Sequence, residues 1–407
     1  MDSEKSTPID QSTNPSPSDA PSRISGRTAI TGRWRWPRAP SRRFRRCKGR
    51  RTASRLPLRR PGGPAIWGMS VKTCLIALMI AAAAPGGALA SIIVTPETFS
   101  RADVDLTFTG IVAEVGSNKF RHDRSLIPLD KQPAVTMNRD TIYSFGVFYA
   151  PNGTTITLPA SKDGRYQSAM IMQNDHYIDQ VFYGAGVHEI KSATEFVGIA
   201  IRTQVKADDP EDVKYVNSLQ DQIAVTLPKG AKPKAYVSPD WDKASLDALR
   251  KKYQQEAKAL PNLNATSGAR GTIDPAMQRL GVAVALGLLP PKDAVYIYRD
   301  YGLKGDQCYK ATYKKPPFND KGFFSFTMYG ADKYLHDEKS NLNNRVISYN
   351  PDGTFTMYYG PEALCGQVSN RLNTPGDDWY LGMRIYRPGQ SVIDGKYDMP
   401  TPVLVTR

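Results

Sequence analysis

The stretch EFVGIAIRTQV, residues 195–205, carries the clearest structural pattern of the sequence. Its branched apolar residues recur at alternate positions, at Val197, Ile199, Ile201 and Val205. Arg202 and Gln204 fall on the opposite parity, so their side chains are expected on the other face. Alternation at period two is typical of a strand with one buried face. We therefore predict a half-buried β-strand here.

Three stretches before it repeat this alternation: IYSFGVFYA (142–150), TTITLPA (154–160) and YQSAMIMQ (166–173). Each is rich in β-branched or aromatic residues, and Gly, Asn, Asp or Pro turns separate them. Short strands at this spacing predict an antiparallel β-sandwich. We assign residues 119–235 to this first β region.

The middle of the chain changes to a helical period. SLDALRKKYQQEAKAL (245–260) places its apolar residues on one helical face. Asp274 and Pro275 are a typical N-cap and first helical residue. We predict a small helical insert over 236–295, and a helical segment over 91–118 before the first β region.

The strand pattern then returns and predicts a second β region over 296–407. Its stretches are YIYRDY (296–301), CYKATYKK (308–315), GFFSFTMYG (322–330), RVISYN (345–350), TFTMYYG (354–360) and WYLGMRIYRP (379–388). The turn sequence NPDG (350–353) predicts a hairpin that joins RVISY to TFTMYY. We expect a mainly β fold, with a second sandwich of jelly-roll type.

Most of the positive charge lies at the beginning of the chain. The sequence has 54 Lys and Arg residues against 39 Asp and Glu, a net charge of +15. Residues 1–90 hold 17 of the basic residues and 4 of the acidic ones, which leaves 91–407 with a net charge of +2. A nucleic-acid-binding domain keeps a basic surface on its folded part. We therefore expect no nucleic-acid partner.

Two segments precede residue 91. Residues 1–68 are rich in Arg, Pro and Ser, which predicts a disordered basic segment. We expect that Met1 is a mis-assigned start and that translation begins at Met69. Residues 69–90 combine Lys72, a short apolar run and small residues at the end, which predicts a signal peptide cleaved after Ala90. The apolar run is shorter than the roughly 20 residues that cross a bilayer. We expect a periplasmic or secreted protein without a membrane span in its mature chain. The alternative is a basic arm on an anchored protein.

Two cysteines, Cys308 and Cys365, follow the predicted signal peptide. In an exported protein they can form one disulfide that closes a long loop. Two separate buried thiols are equally compatible with the sequence. No CxxC pair or Cys/His cluster is present, so we predict no metal site.

The stretch TMNRDTIYS (136–144) contains the first candidate site. Asn138, Arg139 and Asp140 stand before a strand that includes Tyr143. Arg139 can hold a carboxylate or phosphate with two parallel hydrogen bonds, and Asp140 can cap backbone N–H groups. The residues alone favour a clamp between two pieces of chain. All four are also candidate ligand contacts.

Asp175 and His176 form the second candidate site. A carboxylate beside an imidazole is what general acid–base catalysis requires, so these are the candidate catalytic residues. The alternative is a turn pair at the end of a strand. The sequence has no HExxH zinc motif, G-x-S-x-G elbow, Walker motif or dinucleotide-binding motif. We predict no cofactor.

Two further arginines stand among β-strand patterns. Arg345 is a candidate ligand contact. Arg384, within an apolar and aromatic strand, lies on a solvated face, against a carboxylate or in a cleft between the β regions. Tyrosines are plentiful in both regions and suit sugars or small hydrophobic ligands, although ordinary packing is the alternative for any one of them.

Several of these stretches resemble a bacterial pair of domains of unknown function. VTMNRDTIYS (135–144), LPASKDGRYQSAMIMQNDHY (158–177) and VGIAIRTQV (197–205) resemble domain of unknown function 1254. DAVYIYRDYGLKGDQCYKATY (293–313), GFFSFTMYG and WYLGMRIYRPGQSVIDGKY (379–397) resemble domain of unknown function 1214. The resemblance implies an immunoglobulin-like domain at 119–235, the helical insert, and a jelly-roll-like domain at 296–407. It implies no agreed reaction.

The sequence therefore predicts an exported two-domain β protein that binds a small polar or saccharide-like ligand between its domains. One alternative is a hydrolase or lyase that uses Asp175 and His176 as an acid–base pair and Arg139 as an anchor. Another is a structural envelope protein that assembles through its β faces. The sequence leaves open whether the chain forms a homo-oligomer.

Overall fold

The computed structural model describes residues 91–406. The predicted basic segment 1–68 and signal peptide 69–90 lie outside the described residues. Within 91–406 the fold is mixed α/β with several antiparallel sheets, so the expectation of a mainly β protein is too narrow.

The helices are α1 Phe99–Val115, α2 Pro210–Gln220, α3 Lys243–Glu256, α4 Pro275–Ala285, α5 Glu362–Cys365 and α6 Gln390–Ile393. The strands of the first β region are β1 Phe120–His122, β2 Thr141–Tyr149, β3 Thr155–Leu158, β4 Gln167–Gln173, β5 Gln180–Tyr183, β6 Gly186–Glu189, β7 Phe196–Gln204 and β8 Ala224–Thr226. Those of the second are β9 Ala294–Asp300, β10 Tyr309–Tyr313, β11 Phe318–Tyr329, β12 Asn341–Asn343, β13 Phe355–Tyr359, β14 Arg371–Leu372, β15 Tyr380–Pro388 and β16 Val403–Leu404. Among residues 91–406, no helix is both long and apolar enough to span a bilayer.

The first β region contains a five-stranded sheet, β1-β2-β7-β4-β5, and a three-stranded sheet, β6-β3-β8. Apolar side chains of the two sheets, such as Ile156 and Ile199, share one core cluster. The opposite face of β7 packs under α1, where a Cβ at Gly198 would lie 2.7 Å from Cε1 of Phe108. All nine residues of β7 are buried, so the predicted half-buried strand is wrong. The reason is that α1 covers the face that the sequence assigned to solvent.

Helix α2 lies within the first β region, where no helix was predicted. Asp209 caps it, because its carboxylate accepts hydrogen bonds from the N–H groups of Glu211 and Asp212, and Pro210 is the first helical residue. The sequence DDPEDV carries this helix-start signal in full. The helix start is short and lies between strand patterns, which dominate this part of the sequence.

The predicted insert 236–295 contains α3 and α4, which pack against α1. Arg250 on α3 donates a 2.7 Å hydrogen bond from Nε to the buried carboxylate of Asp103 on α1. The α1 helix therefore joins the insert to the first β region.

The second β region consists of two four-stranded sheets, β12-β11-β15-β9 and β14-β13-β10-β16. One face of the first sheet is apolar and contributes Phe324, Phe326 and Met383 to a core cluster shared with the second sheet. The opposite face of that sheet turns toward the first β region and carries Arg384, for example. Cys308 and Cys365 form a disulfide across this region.

The predicted hairpin between RVISY and TFTMYY is wrong. The NPDG turn forms, with the N–H of Asn350 donating to the carbonyl of Thr354 at 2.7 Å. However, residues 345–350 form no strand, because both edges of β13 are already occupied by β10 and β14. The segment instead carries the chain from one four-stranded sheet to the other.

The two β regions share one apolar core. The cluster that includes Tyr166 and Met170 from the first region also includes Ala294, Phe323 and Tyr386 from the second. The ring of Tyr166 lies edge-on to that of Phe323, with 5.1 Å between the ring centroids. The regions are therefore packed together rather than tethered by a linker.

Candidate functional site

A cavity of about 680 Å³ lies between the two β regions and is referred to below as the inter-region cavity. Its walls come from the chain around the start of β2, from β7, from the loops on either side of α4, and from β9 and β15. The volume falls within the range of small-molecule sites, about 300–1,000 Å³. The cavity therefore has the size of a small-ligand site.

The wall from the second β region follows from the register of β15 and β9. Tyr380, Arg384 and Tyr386 share one face of β15, and Arg384 stands opposite Tyr296. Tyr298 stands opposite Gly382, where a Cβ would lie 2.7 Å from Cε1 of the Tyr298 ring.

Three hydroxyl groups on this wall, those of Tyr296, Tyr380 and Tyr386, remain protonated at neutral pH. Burial raises the pKa of Tyr296, Tyr380 and Tyr386. Each can therefore donate one hydrogen bond as well as accept. The wall combines aromatic surface with neutral polar groups.

Arg384 is almost completely buried and has neutral hydrogen-bond partners. It donates to the Oγ1 of Thr327 at 2.9 Å, to the hydroxyl of Tyr329 at 2.6 Å and to the carbonyl of Thr136 at 2.7 Å. Burial raises the pKa of Asp140, and the positive charge of the neighbouring Arg384 opposes this effect. Arg384 thus has an acidic neighbour as well as neutral partners.

Arg202 lies on the wall that the first β region contributes. It stands opposite Tyr143 in the β2–β7 register, and its guanidinium carbon lies 5.3 Å from the centroid of that ring. The guanidinium donates to the carbonyl of Gly287 at 3.2 Å and contacts the sulfur of Met170 at 4.0 Å. The residue is only 6% exposed. Within residues 91–406, no carboxylate oxygen lies within 4.0 Å of it.

Asn138 joins the two walls. Its Nδ2 lies 3.1 Å from the hydroxyl of Tyr143 and 2.9 Å from that of Tyr386. Its Oδ1 accepts a 2.5 Å hydrogen bond from the N–H of Asp140. Both Asn138 and Tyr143 line the inter-region cavity, so two of the candidate ligand contacts are at this site.

Arg139 and Asp140 instead make contacts between the β regions. The guanidinium of Arg139 pairs with Glu338, in the loop between β11 and β12. Oδ2 of Asp140 accepts a 2.5 Å hydrogen bond from Ser325 on β11. Neither residue lines the cavity. Their geometry is that of the clamp.

Asp175 and His176 lie apart from the cavity walls, in the turn after β4. The Asp175 carboxylate accepts a 2.7 Å hydrogen bond from Arg270. Nε2 of His176 accepts a 2.9 Å hydrogen bond from the N–H of Gly287, and burial lowers the pKa of His176 to about 4. The imidazole is therefore neutral at pH 7, and it bonds to the loop after α4 rather than to Asp175.

Arg345 pairs with Asp163 at 2.9 Å, and Asp163 also accepts from Arg165. This pair connects the two β regions outside the inter-region cavity. Arg139, Asp175, His176 and Arg345 thus each have a different partner and do not converge on one site.

Sequence reasoning did not select Arg202 or Lys333 for the site. Both line the inter-region cavity, and the ammonium of Lys333 lies 4.9 Å from the centroid of the Tyr380 ring. The sequence feature that could have indicated Arg202 as a site residue is a charged residue within an otherwise apolar central strand. Described residues include no group of three or more His, Cys, Asp or Glu side chains suited to a metal ion.

Comparisons with known proteins support the architecture and leave the reaction open. The chain shares its fold with an uncharacterised bacterial protein, the VPA0106 protein from Vibrio parahaemolyticus, whose crystal structure superposes with a TM-score of 0.60 at 18% identity. That match covers 76% of this chain and 98% of the other. An uncharacterised protein from Burkholderia cenocepacia superposes with a TM-score of 0.42 at 12% identity, over 72% of this chain and 84% of the other.

The family comparison assigns a domain to the second β region. Residues 298–390 match the family described as protein of unknown function (DUF1214), so the chain carries a DUF1214 domain there. The resemblance of residues 119–235 to domain of unknown function 1254 stays a prediction. No curated protein matches the chain.

Proposed function

We propose that this protein binds a small organic ligand in the inter-region cavity. The observation that carries the proposal is the cavity itself, about 680 Å³ in volume and lined from both β regions. A small-molecule site is typically concave and largely apolar, with a few polar groups that converge on the ligand. The tyrosine rings, Asn138 and the buried Arg202 match that description.

The alternative of a hydrolase or lyase draws no support from the candidate catalytic residues. A general acid–base pair needs its groups within hydrogen-bond reach of the reacting atoms. Asp175 is engaged with Arg270, and the His176 imidazole accepts from a backbone N–H. Binding is therefore the function that we propose.

Export to the periplasm or exterior is part of the proposal. The disulfide between Cys308 and Cys365 supports it, because such bonds persist in oxidising compartments. Mass spectrometry of the exported protein should find Ser91 at its N-terminus. An intact N-terminus on cytosolic protein would contradict export.

We further infer that residues 119–235 adopt an immunoglobulin-like sandwich and residues 296–407 a jelly-roll-like one, since each region has two sheets that share a core.

The binding proposal is tested by a thermal-shift screen followed by calorimetry on variants. Ala265 is exposed and lines the cavity, so Ala265→Trp adds bulk there without disturbing the core. Compounds that stabilise the wild type should bind this variant at least tenfold more weakly. Ala244 is also exposed but lies outside the cavity lining, so Ala244→Trp is the matched control and should bind normally. Ligands that bind Ala265→Trp unchanged would contradict the proposal, as would a screen without any stabilising compound.

A further inference from the structure

We propose that the ligand of the inter-region cavity carries a single carboxylate, and that Arg202 is the residue that binds it. This inference rests on the proposed function and names the chemical class of the ligand.

Among the residues that the structure describes, the buried cation Arg202 has no carboxylate within ion-pair distance. Its contacts are a backbone carbonyl, a thioether sulfur and the face of the Tyr143 ring. Keeping a charged group away from water is unfavourable unless a charge of opposite sign offsets it. Proteins therefore pair buried charges, and an unpaired one at a cavity wall indicates that a ligand supplies the partner.

Asp293 is an acidic group whose pKa Arg202 affects, and it is hydrogen-bonded elsewhere. Burial raises the pKa of Asp293, while a hydrogen bond from Tyr183 and the charges of Lys292, Arg387 and, least of all, Arg202 oppose that effect. The Tyr183 hydroxyl donates to its Oδ1 at 2.9 Å. Asp293 thus does not neutralise Arg202 by direct contact.

The other cations of the cavity wall are offset or exposed. Arg384 has Asp140 as an acidic neighbour, and its guanidinium is committed to Thr327, Tyr329 and the carbonyl of Thr136. Lys333 lies over the ring of Tyr380 and within the field of Asp300. Arg299 is exposed to solvent. Among the described residues of the wall, this leaves Arg202 as the buried cation with N–H donors still available to a ligand, so a ligand with one carboxylate would match the site.

A carboxylate fits this position better than a spherical anion does. A guanidinium presents a planar fork of N–H donors that matches the two oxygens of a carboxylate. The Arg202 guanidinium lies 5.3 Å from the centroid of the Tyr143 ring, and its two terminal nitrogens carry further N–H groups for such a pair beyond those that contact Gly287 and Met170. The nearby Tyr296 and Tyr386 hydroxyls can donate further hydrogen bonds to the same group.

The remainder of the cavity accommodates an organic body. Leu263, Val284 and Leu288 line it together with the tyrosine rings. Apolar and aromatic surface of this kind favours the burial of an aliphatic, aromatic or sugar skeleton. The class that we infer is therefore a small organic monocarboxylate.

The test compares carboxylates with their neutral counterparts by calorimetry at constant ionic strength and pH 7. The pairs are benzoate and benzamide, hexanoate and hexanamide, and galacturonate and galactose. In at least one pair the carboxylate should bind the wild type tenfold or more tightly than its neutral partner. Arg202→Gln should abolish this preference, and Arg202→Lys, which keeps the charge but loses the fork, should retain only part of it.

The controls separate failure of the inference from failure of the proposed function. Arg124 is an exposed arginine that pairs with Asp221 far from the cavity lining, so Arg124→Gln should keep the full preference. Equal binding of carboxylate and neutral partner, or an unchanged preference in Arg202→Gln, would overturn the inference and leave the binding function standing. No binding by either member of any pair to the wild type would overturn both.

Discussion

Adjacent residues of the TMNRDTIYS stretch have different roles. Asn138 faces the cavity, where it contacts tyrosines from both β regions. Arg139 and Asp140 reach across to Glu338 and Ser325. The alternatives of clamp and ligand contact are therefore divided among neighbouring side chains. A sequence motif alone could not separate them, because their partners lie about 200 residues away along the chain.

His176 provides a pH-dependent contribution to stability. Its pKa of about 4 in the folded state lies below its ordinary value of 6.5. The unfolded chain therefore binds a proton that the folded chain rejects, and the unfolding free energy falls as the pH drops from about 6.5 to about 4. The loss from this residue should approach 3 kcal/mol.

Denaturant unfolding between pH 7.5 and pH 4.5 measures this contribution. The difference between wild type and His176→Gln should narrow as the pH falls, since the variant lacks the titrating group. A difference in unfolding free energy between wild type and His176→Gln that stays constant across this range would contradict the lowered pKa of His176.

His176→Ala should cost stability at pH 7, because it removes the acceptor of the Gly287 N–H.

Arg250 and Arg202 are both buried, but they should respond differently to substitution. Arg250→Gln removes the guanidinium that pairs with the buried carboxylate of Asp103, so it should cost about 3–5 kcal/mol. Arg202→Gln removes a cation that has no close counter-ion in the described part of the chain, so it should cost less than about 1 kcal/mol in the ligand-free protein. Urea denaturation of both variants makes the comparison. A larger cost for Arg202→Gln would indicate a mainly structural role for that residue.

Strands were more predictable than their surroundings. Period-two alternation identified β2, β7 and β15, because a strand shows this pattern whenever its two faces meet different environments. The same pattern assigned Arg202 to solvent, since local sequence does not reveal that α1 covers its face. Likewise, RVISYN has the composition of a strand, but β10 and β14 occupy both edges of β13, so RVISYN cannot pair with β13.

The N-terminus of α2 depends on one side chain. Asp209 accepts hydrogen bonds from two otherwise unsatisfied N–H groups, so Asp209→Ala should cost about 1 kcal/mol. Asp208 is exposed and precedes the cap, so Asp208→Ala should change stability by less than about 0.5 kcal/mol. Thermal unfolding of the two variants tests the difference. Equal losses would show that the cap has no special role.

The molecule as a whole combines local elements that sequence predicts with an interface that it does not. The apolar cluster between the β regions and the clamp contacts depend on residues far apart in the chain. The cavity forms where these two surfaces meet without filling the space. Its existence was expected from the two-region organisation, but the buried charge of Arg202 became apparent only from its surroundings.

The disulfide should stabilise the second β region substantially. Cys308 and Cys365 are separated by 57 residues, and closing a loop of this length reduces the entropy of the unfolded chain by the equivalent of about 4 kcal/mol. The double variant Cys308→Ser/Cys365→Ser should lose stability of this order in denaturant unfolding. Reductant should lower the stability of the wild type to a similar level and leave the double variant unchanged. Insensitivity of the wild type to reductant would show that the bond contributes little.

A crystal structure with the tightest-binding compound is the most direct test of the proposed site. We expect ligand density in the inter-region cavity, with an anionic oxygen within hydrogen-bond distance of the Arg202 guanidinium. Density for the compound at any other place, with the cavity holding only solvent, would contradict it.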